Sequence, residues 1–213
     1  MNESDGEAEM YVLLGCAVSL CAVFGASLAS KTGRGSFRAF ATSAGPLRLF
    51  PTHWRAWLAA TVVAAEVAVL AGLIAGLFSP WWTALTTVAL LAFAGAALLL
   101  TTFTVAIMMS LRRGDRAPCR CFGDSQEPLG HGHAVRNLLL LTVAAVGAGT
   151  AVLAEPTVVQ PAGVVVAVVA GLVAGLLAVR FDDVADLIGG SPDLPIGSGV
   201  PRTPHPVRDA RSI

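Results

Sequence analysis

Five long apolar runs dominate the chain, and they decide what it can fold into. They occupy residues 10–29, 56–78, 81–110, 135–154 and 158–179. A helix needs about twenty mostly apolar residues to cross the hydrocarbon of a bilayer. A soluble domain of this size would carry about 25% charged residues; this chain carries 13%, against 55% hydrophobic. The expected fold class is therefore all-α: a polytopic membrane helical bundle of about five transmembrane helices, with the first four forming a four-helix core. The third run is the longest and is expected to tilt. Only "SP" separates the second and third runs, and the fourth and fifth are joined through "EPTVVQP", whose last four residues already open the fifth run. Links that short make the joined helices antiparallel neighbours. Pro80 and Pro156 sit where helices should stop.

The first run is expected to be a retained span and not a cleaved signal. "SLAS" before Lys31 resembles a cleavage site only faintly. The preceding residues 1–9 form an acidic segment, where a signal peptide starts with positive charge. Basic residues then set the orientation, because cytoplasmic loops are enriched in them. All fourteen fall in three places: after the first run (Lys31, Arg34, Arg38, Arg48, Arg55), after the third (Arg112, Arg113, Arg116, Arg120, Arg136) and in the tail (Arg180, Arg202, Arg208, Arg211). With five spans these places share one side. The expectation is a multi-pass protein of the cell's inner (plasma) membrane, N-terminus outside and C-terminus cytoplasmic. The membrane domain covers 10–180. Residues 181–213, rich in Pro, Gly and Ser, cannot bury a core and read as a disordered tail. No basic tract is interleaved with aromatics, so no nucleic-acid partner is expected; lipid is.

Chemistry concentrates in the polar loop 111–134, which contains "APCRCFGDSQEPLGHGH". Cys119 and Cys121 form a Cys-x-Cys pair. Two thiols this close bridge only in a tight turn, and the strained disulfide that results is easily reduced. Arg112, Arg113, Arg116 and Arg120 favour the nucleophilic thiolate. A redox pair is one reading. A metal-binding or transport site is another: with His131 and His133 the pair offers two sulfurs and two imidazoles, a set suited to zinc or copper, although the spacing matches no standard finger. A third is a membrane scaffold that merely anchors a soluble partner.

Within the spans, Cys16 and Cys21 are about 140° and 7.5 Å apart on a helix. They cannot bridge each other and read as small packing residues. Glu66 is different, because an ionisable side chain in mid-span must face the bundle and find a partner. Two readings stand: a proton-handling carboxyl, and a structural hydrogen bond to Thr101, Thr102 or Thr104 in the next span. The proton reading suits redox work, since thiol oxidation releases protons and reduction of a quinone consumes them. Finally, "GLIAG" (72–76) and "GLVAG" (171–175) place glycines four apart, which either lets helices approach closely or merely reflects how common glycine is here.

Glu66 in the second span, the basic "SLRRGDRAPCRCFG" after the third and "RN" at the start of the fourth ("AVRNLLLL") together resemble the MauE family, the methylamine utilisation membrane proteins, grouped with DoxX-like redox-associated membrane proteins. The similarity covers roughly 27–141 and extends to Lys31. It implies a role in maturing an exported, disulfide-containing protein, in the family's best-known setting a subunit of methylamine dehydrogenase, with a thioredoxin-like protein as companion. Cys119 and Cys121 would be the redox pair, supported by Glu66, Arg136, Asn137 and Lys31. His131 and His133 are no part of the pattern. One conflict is visible already: disulfides persist outside the cytoplasm, yet the charges place this pair inside. Either the loop dips back into the bundle, or electrons cross the membrane between an inner thiol and an outer partner, or the site binds metal.

Overall fold

The structure, a computed structural model, describes residues 3–42, 51–78, 84–113, 131–153 and 159–181. Those residues fold into six helices: α1 (Glu3–Lys31), α2 (Arg34–Thr42), α3 (Thr52–Gly76), α4 (Ala84–Arg112), α5 (His131–Leu153) and α6 (Pro161–Val179). All but α2 are long and apolar enough to cross a membrane, as Gly6–Lys31, His53–Gly76, Thr86–Met109, Gly132–Leu153 and Pro161–Val179. The all-α, five-span reading holds. The acidic segment is helical from Glu3 onward, because nothing between it and the first apolar run breaks the helix.

The core comes from four spans. Leu13, Leu20 and Phe24 of α1 pack with Leu73 of α3, Phe93 and Leu100 of α4, and Leu140 and Ala144 of α5. Many large apolar side chains on the outer faces are exposed, among them Leu91, Leu98, Val166 and Leu176. In a bilayer those faces meet lipid, which is as apolar as they are, so close fit and not solvent exclusion must hold the helices together. The two glycine pairs supply that fit. A Cβ at Gly72 would lie 2.9 Å from the Cβ of Ala92, and one at Gly76 2.8 Å from that of Ala89, so α3 and α4 touch nearly backbone to backbone. On α6, a Cβ at Gly171 would sit 2.5 Å from the Gly15 carbonyl oxygen, and one at Gly175 2.7 Å from the Ala22 Cβ. The fifth span is thus seated along α1 outside the core.

A feature the apolar runs do not announce lies after the first span. The chain turns at Gly33, whose φ of 121° suits a residue without a side chain. It re-forms a helix at once, the Phe37 N–H donating to the Gly33 carbonyl at 2.9 Å. The short amphipathic α2 lays Phe37, Phe40 and Ala41 against Ala59, Val62 and Val63 of α3, a small cluster apart from the main core. Trp54 and Trp57, on the first turns of α3, are exposed, as is usual where aromatic side chains meet the membrane interface.

Candidate functional site

Polar side chains gather toward one end of the bundle, the basic end, where α1 finishes and α5 begins. Ser27 and Lys31 lie four residues apart on α1 and so share a face. That face meets Glu66 of α3. The Lys31 ammonium donates to Glu66 Oε1 at 2.6 Å, to Glu66 Oε2 at 2.9 Å and to Ser27 Oγ at 2.7 Å. Ser27 Oγ donates in turn to Glu66 Oε1 at 3.2 Å. An ammonium has three donors, and all three are used. Glu66 and Ser27 are wholly buried, and Lys31 is 4% exposed. The Phe40 ring of α2 stands 5.0 Å from the ammonium, close enough for a cation–π contact. A carboxylate in mid-span is costly alone. Here it is neutralised and hydrogen-bonded, which makes the arrangement tolerable in hydrocarbon.

This corrects one sequence expectation. Thr101, Thr102 and Thr104 do not reach Glu66. Each turns its hydroxyl back onto its own helix, to the carbonyls of Ala97, Leu98 and Leu100 at 2.7, 2.8 and 2.7 Å. Bonding to the preceding turn satisfies a threonine without help from a neighbouring helix. The partner of Glu66 is a cation that the charge pattern counts as a loop residue. Arg136 is likewise drawn inward, at 5% exposure. Both still mark the basic end.

Arg136 belongs to a second polar group. His133, Arg136 and Asn137 fall at spacings of three and four on α5, one helical face, and all three are buried. Asn137 is wholly buried, and neither its Nδ2 nor its Oδ1 has a hydrogen-bond partner among the described residues. Its depth follows from the helix contacts. Gly76 packs on Ala89, and Gly147 packs on Phe93. Counting along the helices at about 1.5 Å per residue puts Glu66, Leu100 and Leu140 in one layer, with Asn137 about one turn nearer the basic end. Lys31 is one turn beyond Ser27 in the same direction.

The Cys119–Cys121 pair lies outside the described residues, as does the His131 side chain. Cys16 and Cys21 are free, half-buried and packed on the core, in keeping with packing residues. Among the described residues, no three His, Cys, Asp or Glu side chains gather to hold a metal. Sequence reasoning missed Ser27, Phe40 and the inward turn of His133. The spacing of Ser27 to Lys31 was a usable signal for the first; nothing local foretold the others.

A family model described as methylamine utilisation protein MauE matches residues 9–150, well over half of the chain's 213 residues. The chain belongs to the MauE family. The matched region takes in the core helices α3 and α4, the Lys31–Glu66 pair, the Cys-x-Cys loop and most of α1 and α5; α6 and the tail lie beyond it. No curated protein and no solved structure matches the chain. It is a multi-pass integral membrane protein of this family.

Proposed function

We propose that this MauE-family protein supports thiol–disulfide exchange in the membrane, and through it the maturation of an exported disulfide-containing protein, with Cys119 and Cys121 as the working pair. The observation that carries the reading is the family match across the Cys-x-Cys loop, joined to the chemistry of two adjacent thiols flanked by arginines. A thioredoxin-like protein is the companion that delivers or removes the disulfide. The Lys31–Glu66 pair, with Arg136 and Asn137, supports the site from within the bundle. The protein is an auxiliary to that companion in this reading.

The basic end faces the cytoplasm, with the N-terminus outside, in the inner membrane. Lys31 and Arg136 are buried, but among the described residues Arg38, Arg55, Arg112, Arg113 and Arg180 belong to the same end, which supports this orientation. The metal alternative would draw on His131 and His133 together with the two cysteines. Both histidines belong to α5. His133 is turned into the bundle.

Cys119→Ser and Cys121→Ser should each abolish oxidation of the client in cells while membrane insertion stays normal. Client disulfides formed at the parent rate in both variants would defeat the proposal. Stoichiometric zinc or copper on the purified protein, lost in His131→Ala/His133→Ala, would transfer the site to the metal reading.

A further inference from the structure

We propose that the trough between α5 and α6 holds one acyl chain of a membrane phospholipid, whose headgroup lies at the end of the bundle opposite the basic one. α1 is the shared neighbour. α5 and α6 both pack along it, and neither makes a comparable interface with the other. The gap they leave is an open cavity of about 620 Å³. α1 contributes Gly15 and Ser19 to its lining, α5 contributes Val143, and α6 contributes Val166, Ala170 and Ala174. α6 lies beyond the matched family region, so the trough depends on a span that the family model does not include.

Dimensions and lining choose the occupant. Ala162 and Ala174 both line the trough, and between them the helix advances about 18 Å. The hydrocarbon of a bilayer is about 30 Å thick, so a chain anchored in one leaflet reaches about 15 Å. Spread over the length of the trough, the cavity has a mean section of roughly 34 Å², less than half the section of a helix about 10 Å across. A helix could rest on the rim but not fill it; a flexible hydrocarbon chain can. The lining is almost wholly apolar, and an unfilled apolar gap forfeits the contacts its walls would make. Lipid tails are the apolar material at hand in a bilayer.

The trough has one polar end. Tyr11 lines it, five residues into the Gly6–Lys31 span. A side chain at Gly163 would collide with the Tyr11 ring, so the ring is held against α6. The Gln160 N–H, beside the start of the last span, donates to the Tyr11 hydroxyl at 2.9 Å. That bond uses the oxygen as acceptor and leaves the O–H as a donor. The ester and phosphate oxygens of a phospholipid are acceptors, so its head meets a donor while its tail meets apolar walls. Tyrosine is also at home at this level of a membrane. The bound chain ties α6 to the core helices and takes the place of an α5–α6 interface. Nothing in this site depends on Cys119 or Cys121.

The test is photolabelling. The purified full chain in micelles is titrated with a phosphatidylcholine carrying a diazirine midway along one acyl chain, then illuminated, and adducts are located by peptide mass. Labelling should saturate near one lipid per chain, with adducts on Cys16, Val143 and Val166. Ala170→Phe fills the trough from an exposed position on α6, so apparent affinity should fall about tenfold while the lipid-free melting temperature stays at the parent's. Ala174→Leu should act in the same way, and it serves if the phenylalanine unfolds the chain. Added phosphatidylcholine should raise the parent's melting temperature and not the variants'. Unlabelled phosphatidylcholine should compete, and glycerophosphocholine, which has the head and no chains, should not. Labelling that never saturates, adducts spread evenly over Leu91, Leu98 and Leu172, equal affinity in parent and variants, or competition by glycerophosphocholine overturns the site. A parent dimer that Ala170→Phe converts to monomer, with labelling unchanged, also overturns it and gives the trough to a second copy.

Discussion

Breaking the Lys31–Glu66 pair from one side should cost far more than removing it whole. At an N···O distance of 2.6 Å and an effective dielectric of about 20, the gross attraction is about 6 kcal/mol. Desolvating the two ions costs several kcal/mol each, so the pair is worth little net against apolar residues of similar size. Lys31→Met alone leaves the Glu66 carboxylate buried with one donor, the Ser27 hydroxyl. Glu66→Leu alone leaves the ammonium facing only Ser27 Oγ and the Phe40 ring. Each single change should destabilise by about 3–5 kcal/mol, while the double change should cost little or nothing. For a chain of this length about 2–4 °C accompanies each kcal/mol, so each single variant should melt roughly 6–20 °C below the parent and the double variant near it. Thermal melts of the four proteins in one detergent read the coupling directly. A double variant that melts as low as the two single losses summed would refute the account, because it would mean the residues contribute separately.

Other consequences follow from the packing. Gly171→Leu should peel α6 from α1 and cost about 1–3 kcal/mol of overpacking, seen as a lowered melting temperature. Gly149→Ala, where an added Cβ meets nothing within 4 Å, should stabilise by up to about 1 kcal/mol. Phe40→Leu keeps an apolar contact but loses the ring over Lys31, at about 0.5–2 kcal/mol, which the same melts would register. Replacing Cys16 and Cys21 with Ala should leave client oxidation in cells at the parent rate, since both thiols serve packing; a block in oxidation would assign them to the exchange pathway.

The five spans were legible because a bilayer imposes a length and composition that no other environment requires. Their ends shifted by a few residues where flanking polar residues simply continued the helix, as from Glu3 to Glu9. The interior was less legible. Glu66 announced itself by being charged in mid-span, but its partner did not. Lys31 sits at the boundary of an apolar run and reads as a loop cation until α1 is seen to carry it against α3. The threonines attracted attention as polar neighbours, yet a threonine in a helix can satisfy itself. The glycine pairs were ambiguous in the sequence, because the pattern is frequent in such chains; the opposing Ala89, Ala92 and Gly15 backbone decides them. α2 was hidden in what reads as a loop, being too short for a span and legible only through the Phe face it lays on α3. Asn137 drew notice through the family pattern, but its complete burial belongs to three-dimensional packing.

The central claim, that Cys119 and Cys121 form a working disulfide, is most directly met by differential thiol labelling of the native protein. Cells are quenched in acid, free thiols are blocked under denaturing conditions, disulfides are reduced, and the newly freed thiols receive a second label located by peptide mass. The account predicts the second label on Cys119 and Cys121, with Cys16 and Cys21 carrying the first. The first label on all four cysteines, in cells actively oxidising the client, would contradict it.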